Sequence, residues 1–202
     1  MNLESLGSSS CSSQWVQMML IGVEEIVGPE DISRIVALMS QDGEDGCGSL
    51  NSLPSVHAAL QEMYGMRGGQ GVALRAGQSA YKTLLRRQGM QMGLFSNQFR
   101  LLPTHARIRL GLEALAEQIS LLWNEKVTIA EDGRYWIWRT EHCPLCADLH
   151  TAYPSCYFTI GFLQGFLSWT AGGKNYLVAE TECVAMGHPA CVLMIDQRAV
   201  EG

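Results

Sequence analysis

The apolar positions of the chain follow a helical spacing first and a mixed one later. Over 15–27, the residues Trp15, Met18, Met19, Ile21, Val23, Ile26 and Val27 fit a helix better than an alternating strand. Gly28-Pro29 stops that helix. Glu30 and Asp31 then favour the first turn of another, to about Met39, because acidic side chains complement the positive end of the helix dipole. A polar, glycine-rich linker is expected over 41–52, and a third short helix around Pro54, His57, Leu60, Met63 and Tyr64. RGGQG at 67–71 predicts a turn, and the next helix is expected over 74–88, ended by Gly89. Pro103 opens the longest helical pattern, through His105, Ile108, Leu112, Leu115, Ile119, Leu122 and Trp123.

The period then changes. Residues 127–130 and 135–140, separated by Asp132-Gly133, predict a β-hairpin. Residues 156–170 (CYFTIGFLQGFLSWT) are too long for a strand and too short for a membrane span, so they predict a buried helix. Gly161 and Gly165 lie four apart on one face of it, where they permit close packing. Gly172-Gly173 ends it, and strands are expected over 175–182 and 191–196 around a turn at 187–189. The outline is an α+β fold, a helical N-terminal part followed by an antiparallel sheet packed with helices. It divides into a flexible polar tail at 1–13, a helical segment at 14–70 and a main domain at 71–198.

Composition narrows the function. The chain has 202 residues, 47% hydrophobic and 17% charged, enough for a sizeable core. A net charge of −6 disfavours a phosphate-binding surface and hence nucleic acid. No apolar run approaches the roughly 20 residues of a membrane helix. The serine-rich start has neither a basic region nor an apolar one, so no secretory signal is expected and the location is read as cytoplasmic. Gly69, Gly71 and Gly77 do not follow a strand with dinucleotide-binding spacing.

The cysteines carry the chemistry. Of seven, Cys11 and Cys47 stand alone, and Cys143, Cys146, Cys156, Cys183 and Cys191 share one short stretch. An odd count in a reducing compartment points to thiols and metal ligands. On a strand Glu180 and Glu182 share a face, and Cys183 takes the other unless a bulge or the strand end rotates it. A hairpin brings Cys183 towards Cys191. Cys156 starts a helix, where the dipole favours thiolate. Three thiolates and one carboxylate complete a closed tetrahedral zinc shell; the competing reading is a set of small buried thiols in a sheet core. Cys143-Pro144-Leu145-Cys146 is a second feature, a pair suited to zinc, an iron–sulfur cluster or redox exchange. His142 and His150 lie near it in sequence. A cluster of Cys143, Cys146, Cys183 and Cys191 is the alternative to the first ligand set.

The pattern of Cys156, the Gly161 and Gly165 helix, Glu180, Cys183, Gly187 and Cys191 resembles the 4-vinyl reductase domain, over about 74–196. That family is named for a bacteriochlorophyll-biosynthesis protein and also provides the aromatic-effector sensor of phenol-responsive transcription activators. The resemblance implies zinc at Cys156, Glu180, Cys183 and Cys191, a fold like that of a vesicle-tethering TRAPP subunit, and a homodimer. In the sensors a tryptophan before the first ligand cysteine helps hold the phenol hydroxyl. Trp136 and Trp138 lie in the comparable place, with Trp138 the better match, and His105 corresponds by rough position to a phenol-contacting histidine. The sensors do not need the Cys143 and Cys146 pair for their metal, and this chain has no ATPase or DNA-binding segment.

Three functions follow as expectations. The preferred one is a binding module in which Trp136, Trp138, Phe158, Phe162 and Trp169, with His105, hold a planar aromatic or tetrapyrrole ligand. Such a module is a sensor, or a carrier or accessory in bacteriochlorophyll synthesis. The second is a dimeric TRAPP-like scaffold. The third is a vinyl reductase, which needs an electron source that only an iron–sulfur cluster here supplies; no catalytic residue is assigned.

Overall fold

The computed structural model describes residues 14–41, 53–123 and 125–200. The expected tail at 1–13, nearly all of the linker at 41–52, and Cys11 and Cys47 lie outside the described residues. Six helices come in two groups around a four-stranded sheet: α1 (Gln14–Val27), α2 (Pro29–Gln41), α3 (Leu53–Gln88), α4 (Asn97–Leu101), α5 (Thr104–Trp123), then β1 (Val127–Asp132), β2 (Tyr135–Thr140), α6 (Tyr157–Thr170), β3 (Tyr176–Glu182) and β4 (Cys191–Ala199). The sheet order is β1-β2-β4-β3, and every pairing is antiparallel. No helix among the described residues is long and apolar enough to cross a membrane.

One expected element is corrected. Residues 67–71 are helical, and the bend falls at Gly65, whose φ of 71° suits glycine. Gly69 is buried, and a Cβ there would stand 2.9 Å from the Leu60 carbonyl oxygen. The two arms of α3 thus meet at the glycines, and packing overrides their weak helix propensity. The short helix α4 goes beyond the sequence outline. Its start is set by Ser96, whose Oγ accepts the Phe99 N–H at 3.1 Å.

Two close crossings set the helical layer. Gly22 of α1 faces the Ala76 backbone of α3, and Gly161 of α6 faces the Leu74 carbonyl of α3. Gly77 returns the contact against the Phe158 carbonyl, and Gly165 lies against Gln78. A β-carbon at Gly77 or Gly161 would fall inside the facing carbonyl oxygen. Helix α6 therefore sits at a depth fixed by backbone, with Phe158, Phe162, Phe166 and Leu167 filling the space around the crossing.

The sheet shows the alternation of one buried face. Trp136 and Trp138 of β2 pair across to Ile195 and Leu193 of β4, and all four are buried. The β1–β2 connection has Gly133 at φ 58°, a positive value at the first of two turn residues. Arg134, next to it, is ion-paired to Asp196 of β4, and Asp196 also accepts the Arg198 N–H at 3.0 Å.

The same chemical change has opposite signs at two glycines. Gly161→Ala overpacks the crossing and is expected to cost about 1–3 kcal/mol. Gly71→Ala, on an exposed stretch of α3 with open space at the Cβ position, is expected to gain about 0.5–1 kcal/mol. Urea midpoints at unchanged m-value measure both; a neutral Gly161→Ala would refute the crossing.

Candidate functional site

Five chain segments deliver donors to one buried point. Cys143 and Cys146 come from the loop after β2. Cys156 is the N-cap residue of α6, Glu180 comes from β3, Cys183 directly follows β3, and Cys191 opens β4. All five cysteines are buried and none forms a disulfide. The ligand atoms of Cys146, Cys156, Glu180, Cys183 and Cys191 lie within 4.8 Å of one another. The Cys146 Sγ stands 3.3 Å from that of Cys156, 3.5 Å from Cys183 and 3.6 Å from Cys191. The Cys143 Sγ lies 3.6 Å from Cys156.

Local irregularities aim these groups. The β3–β4 register shifts between Glu180 and Glu182, so one residue of β3 is extra there. That bulge and the strand end turn Cys183 to the side that Glu180 faces, as a strict alternation would not. A 3-10 turn over Val184–Met186 follows, closed by Gly187 at φ 89°. Its first amide, Val184 N–H, donates to the Cys191 Sγ at 3.3 Å. A backbone donor on sulfur favours the thiolate, as does the N-terminus of α6 at Cys156. The loop cysteines are held by a tight turn, Cys146 N–H to the Cys143 carbonyl at 3.0 Å. Thr151 N–H to the Ala185 carbonyl, 2.8 Å, ties that loop to the 3-10 turn.

The protonation of the centre follows from crowding. Burial pushes the Glu180 carboxyl up to about 8, opposed by the Cys156 N–H on its Oε2 at 2.8 Å. Its Oε1 is buried with no hydrogen-bond partner among the described residues. Sulfur donors, Cys146 first, hold the Cys183 thiol down at about 6, and the close thiols and burial push Cys156 up. The arrangement wants several thiolates next to a buried carboxylate and has no cation of its own. A divalent ion with sulfur and carboxylate ligands fits this donor set and satisfies the orphaned oxygen.

The sequence placed the residues but not their grouping. The four-residue set of Cys156, Glu180, Cys183 and Cys191 is brought together, and the Cys143 and Cys146 pair joins it rather than forming a second site. The CxxC spacing was the available signal; the path of the 141–156 loop back to α6 was the missing part. His142 instead lies at the surface, 3.2 Å from Glu125, and His150 is exposed.

The aromatic residues divide. Trp136, Trp138, Phe158 and Phe162 are core-packed, whereas Trp169 is 39% exposed. Trp169 stands between two cavities, one of about 720 Å³ with Tyr81, Lys82 and Asn175, and one of about 580 Å³ with Phe99, Arg100 and Arg107. Neither is lined by the four core aromatics. The His105 ring lies 5.0 Å from that of Trp136, and its Nε2 faces Gln197 Oε1 at 3.4 Å and Glu131 Oε1 at 3.5 Å. His105 thus reaches Trp136 rather than Trp138, the residue that the sequence favoured. Both indole N–H groups are buried with no acceptor among the described residues.

Residues 136–197 match the family model of the 4-vinyl reductase domain, and over that segment the chain is a member of this family, the one that its cysteine and glycine pattern resembles. Fold similarity extends further. The phenol-responsive sensory domain of the transcription activator PoxR, solved with phenol, is 20% identical at a TM-score of 0.51, over 71% of this chain and 72% of that one. The Fe(II) unliganded H-NOX protein from K. algicida is 9% identical at 0.54, over 95% and 97%. An H-NOX protein from S. oneidensis, in the Fe(II)NO state, is 16% identical at 0.52, over 91% and 99%. At these identities the likeness is one of fold. No curated protein sequence matches the chain.

Metal removal should unfold the sheet end. Losing an ion present at about 1,000 times its Kd removes about 4 kcal/mol. For a chain of this size that lowers Tm by about 10 °C. Cys183→Ala and treatment with a strong chelator are both expected to do so, with zinc content by elemental analysis falling in parallel. Retention of both metal and Tm in Cys183→Ala would end the metal assignment.

Proposed function

We propose that the chain is a small-molecule-binding module of the 4-vinyl reductase type, with one metal ion fixing the sheet end and an apolar ring held at the Trp136 face. The observation that carries this is the pair of buried indole donors with His105 beside Trp136. An unpaired buried donor costs about 1–3 kcal/mol. A planar ligand with a hydroxyl or carbonyl oxygen removes that cost and stacks on rings already in place. Trp136 and His105 are the proposed contacts to the oxygen, and Trp138, Phe158 and Phe162 the apolar wall. The core is closed around these rings, so binding requires α5 or α6 to yield, and Trp169 lines the cavities at that margin.

Zinc is the proposed ion. Four sulfurs around one ion at about 2.3 Å lie about 3.8 Å apart along the edges of the tetrahedron. The observed 3.3–3.6 Å contacts support a single ion over a multi-iron cluster, whose cysteine sulfurs surround a larger core. The domain at 71–198 is proposed to hold both features. PoxR, a neighbour in fold, is solved with phenol, and the same chemistry recommends phenols as the first ligands to try. A sensor and a pigment carrier share this binding step; a tetrapyrrole is the larger alternative.

Tryptophan fluorescence titrated with phenol, and absorption titrated with a free porphyrin, test the reading. Saturable binding of either is expected. Trp136→Phe should raise Kd about two- to tenfold, the worth of one hydrogen bond, with metal content unchanged. No binding of either probe to wild type, or an unaltered Kd in the variant, would overturn it.

A further inference from the structure

We infer that Cys146, in place of Glu180, supplies the fourth ligand of the metal centre, so that the ion sits in a shell of four thiolates. This rests on the metal reading above and deepens it. The centre holds more donors than it can use: Cys146, Cys156, Glu180, Cys183 and Cys191 all reach one point, and a structural zinc takes four.

Geometry favours the sulfur. Cys146 alone has its Sγ against those of Cys156, Cys183 and Cys191, at 3.3, 3.5 and 3.6 Å. It therefore occupies the apex of a tetrahedron whose base is the other three. Cys143 touches Cys156 at 3.6 Å and stands outside that shell. Glu180 already has a different task, since its Oε2 accepts the Cys156 N–H at 2.8 Å. A carboxylate bonded to the backbone of a ligand orients that ligand from outside the shell. Its Oε1 is the one competing donor.

Chemistry favours the sulfur too. Thiolates are the softer ligands and hold zinc in preference to a carboxylate. Four thiolates already leave two negative charges on the buried centre, and a coordinated carboxylate besides them would add a third with no lysine or arginine among the residues of the cluster. The shell also has a mechanical consequence. Cys146 sits on the loop between β2 and α6, and this loop is tied to the 3-10 turn by Thr151. With Cys146 bound, the ion joins that loop to α6, β3 and β4. A shell with Glu180 would leave the loop unjoined.

The test uses the full chain. X-ray absorption at the zinc edge of wild type needs no variant. Four sulfurs at about 2.3 Å are expected, and three sulfurs with an oxygen near 2.0–2.2 Å would overturn the inference while leaving the metal reading intact. The cobalt-substituted protein gives the second readout. Its sulfur-to-cobalt absorption should fall by about a quarter in Cys146→Ser, one thiolate of four, and hold in Glu180→Gln and Cys143→Ser. The reverse, loss in Glu180→Gln with Cys146→Ser unchanged, would overturn it. A wild-type chain that binds neither zinc nor cobalt would overturn the metal reading and this inference together.

Discussion

Helix α6 lies on α3 with no side chain between Gly161 and the Leu74 carbonyl, and Gly77 makes the reciprocal approach to Phe158. Backbone contact of this kind has no slack, because a single methyl group would collide with a carbonyl oxygen rather than with a side chain that can turn aside. The depth of α6 is therefore set before any side chain is placed. From that depth follow the position of Cys156 at the helix start, the packing of Phe158 and Phe162 against the sheet layer, and the height of Trp169 at the far end. Gly22 extends the same principle to α1, which shares the α3 surface through Ala76.

The thiol centre closes the other end of the molecule. It lies where the loop after β2, the start of α6, the end of β3 and the start of β4 converge, and few backbone ladder bonds hold these segments there. Strand pairing fixes β4 against both its neighbours, but the 3-10 turn and the 141–156 loop have only scattered hydrogen bonds. A metal ion fits the place because it supplies in one centre the energy that regular structure does not. Apparent free energies of structural zinc run about 10–16 kcal/mol in small domains, of the order of a whole protein's stability. The bulge in β3 and the left-handed Gly187 are small local costs offset by that one gain.

Between the two constraints lies the aromatic layer. Trp136 and Trp138 occupy alternate positions of β2 on the buried face, so their rings enter the core and their N–H groups enter with them. Tryptophan is normally placed where that donor finds a partner. Two such groups side by side without one, and a histidine ring at the edge of the pair, make a polar deficit inside an apolar layer. A core of this composition is less stable empty than filled, which is the thermodynamic form of a binding site.

The sequence by itself determined the elements that depend on near neighbours. The helical spacing over 15–27 and after Pro103, the Asp132-Gly133 hairpin, the apolar helix of 157–170 and the strands around Gly187 are all visible because their period and their turn residues are local. Four of the donors were legible for the same reason, from Glu180, Cys183 and Cys191 closing on one hairpin and Cys156 heading a helix. Tertiary structure decided what depends on distant partners. It made a helix of 67–71, because Gly69 is held against Leu60 and the bend moves to Gly65. It brought Cys143 and Cys146 into the centre through a loop whose course no periodicity records. It also set His105 beside Trp136, a pairing 31 positions apart that only the packing of α5 on the sheet creates. Local pattern fixes which face a residue shows; only the packed chain fixes what that face meets.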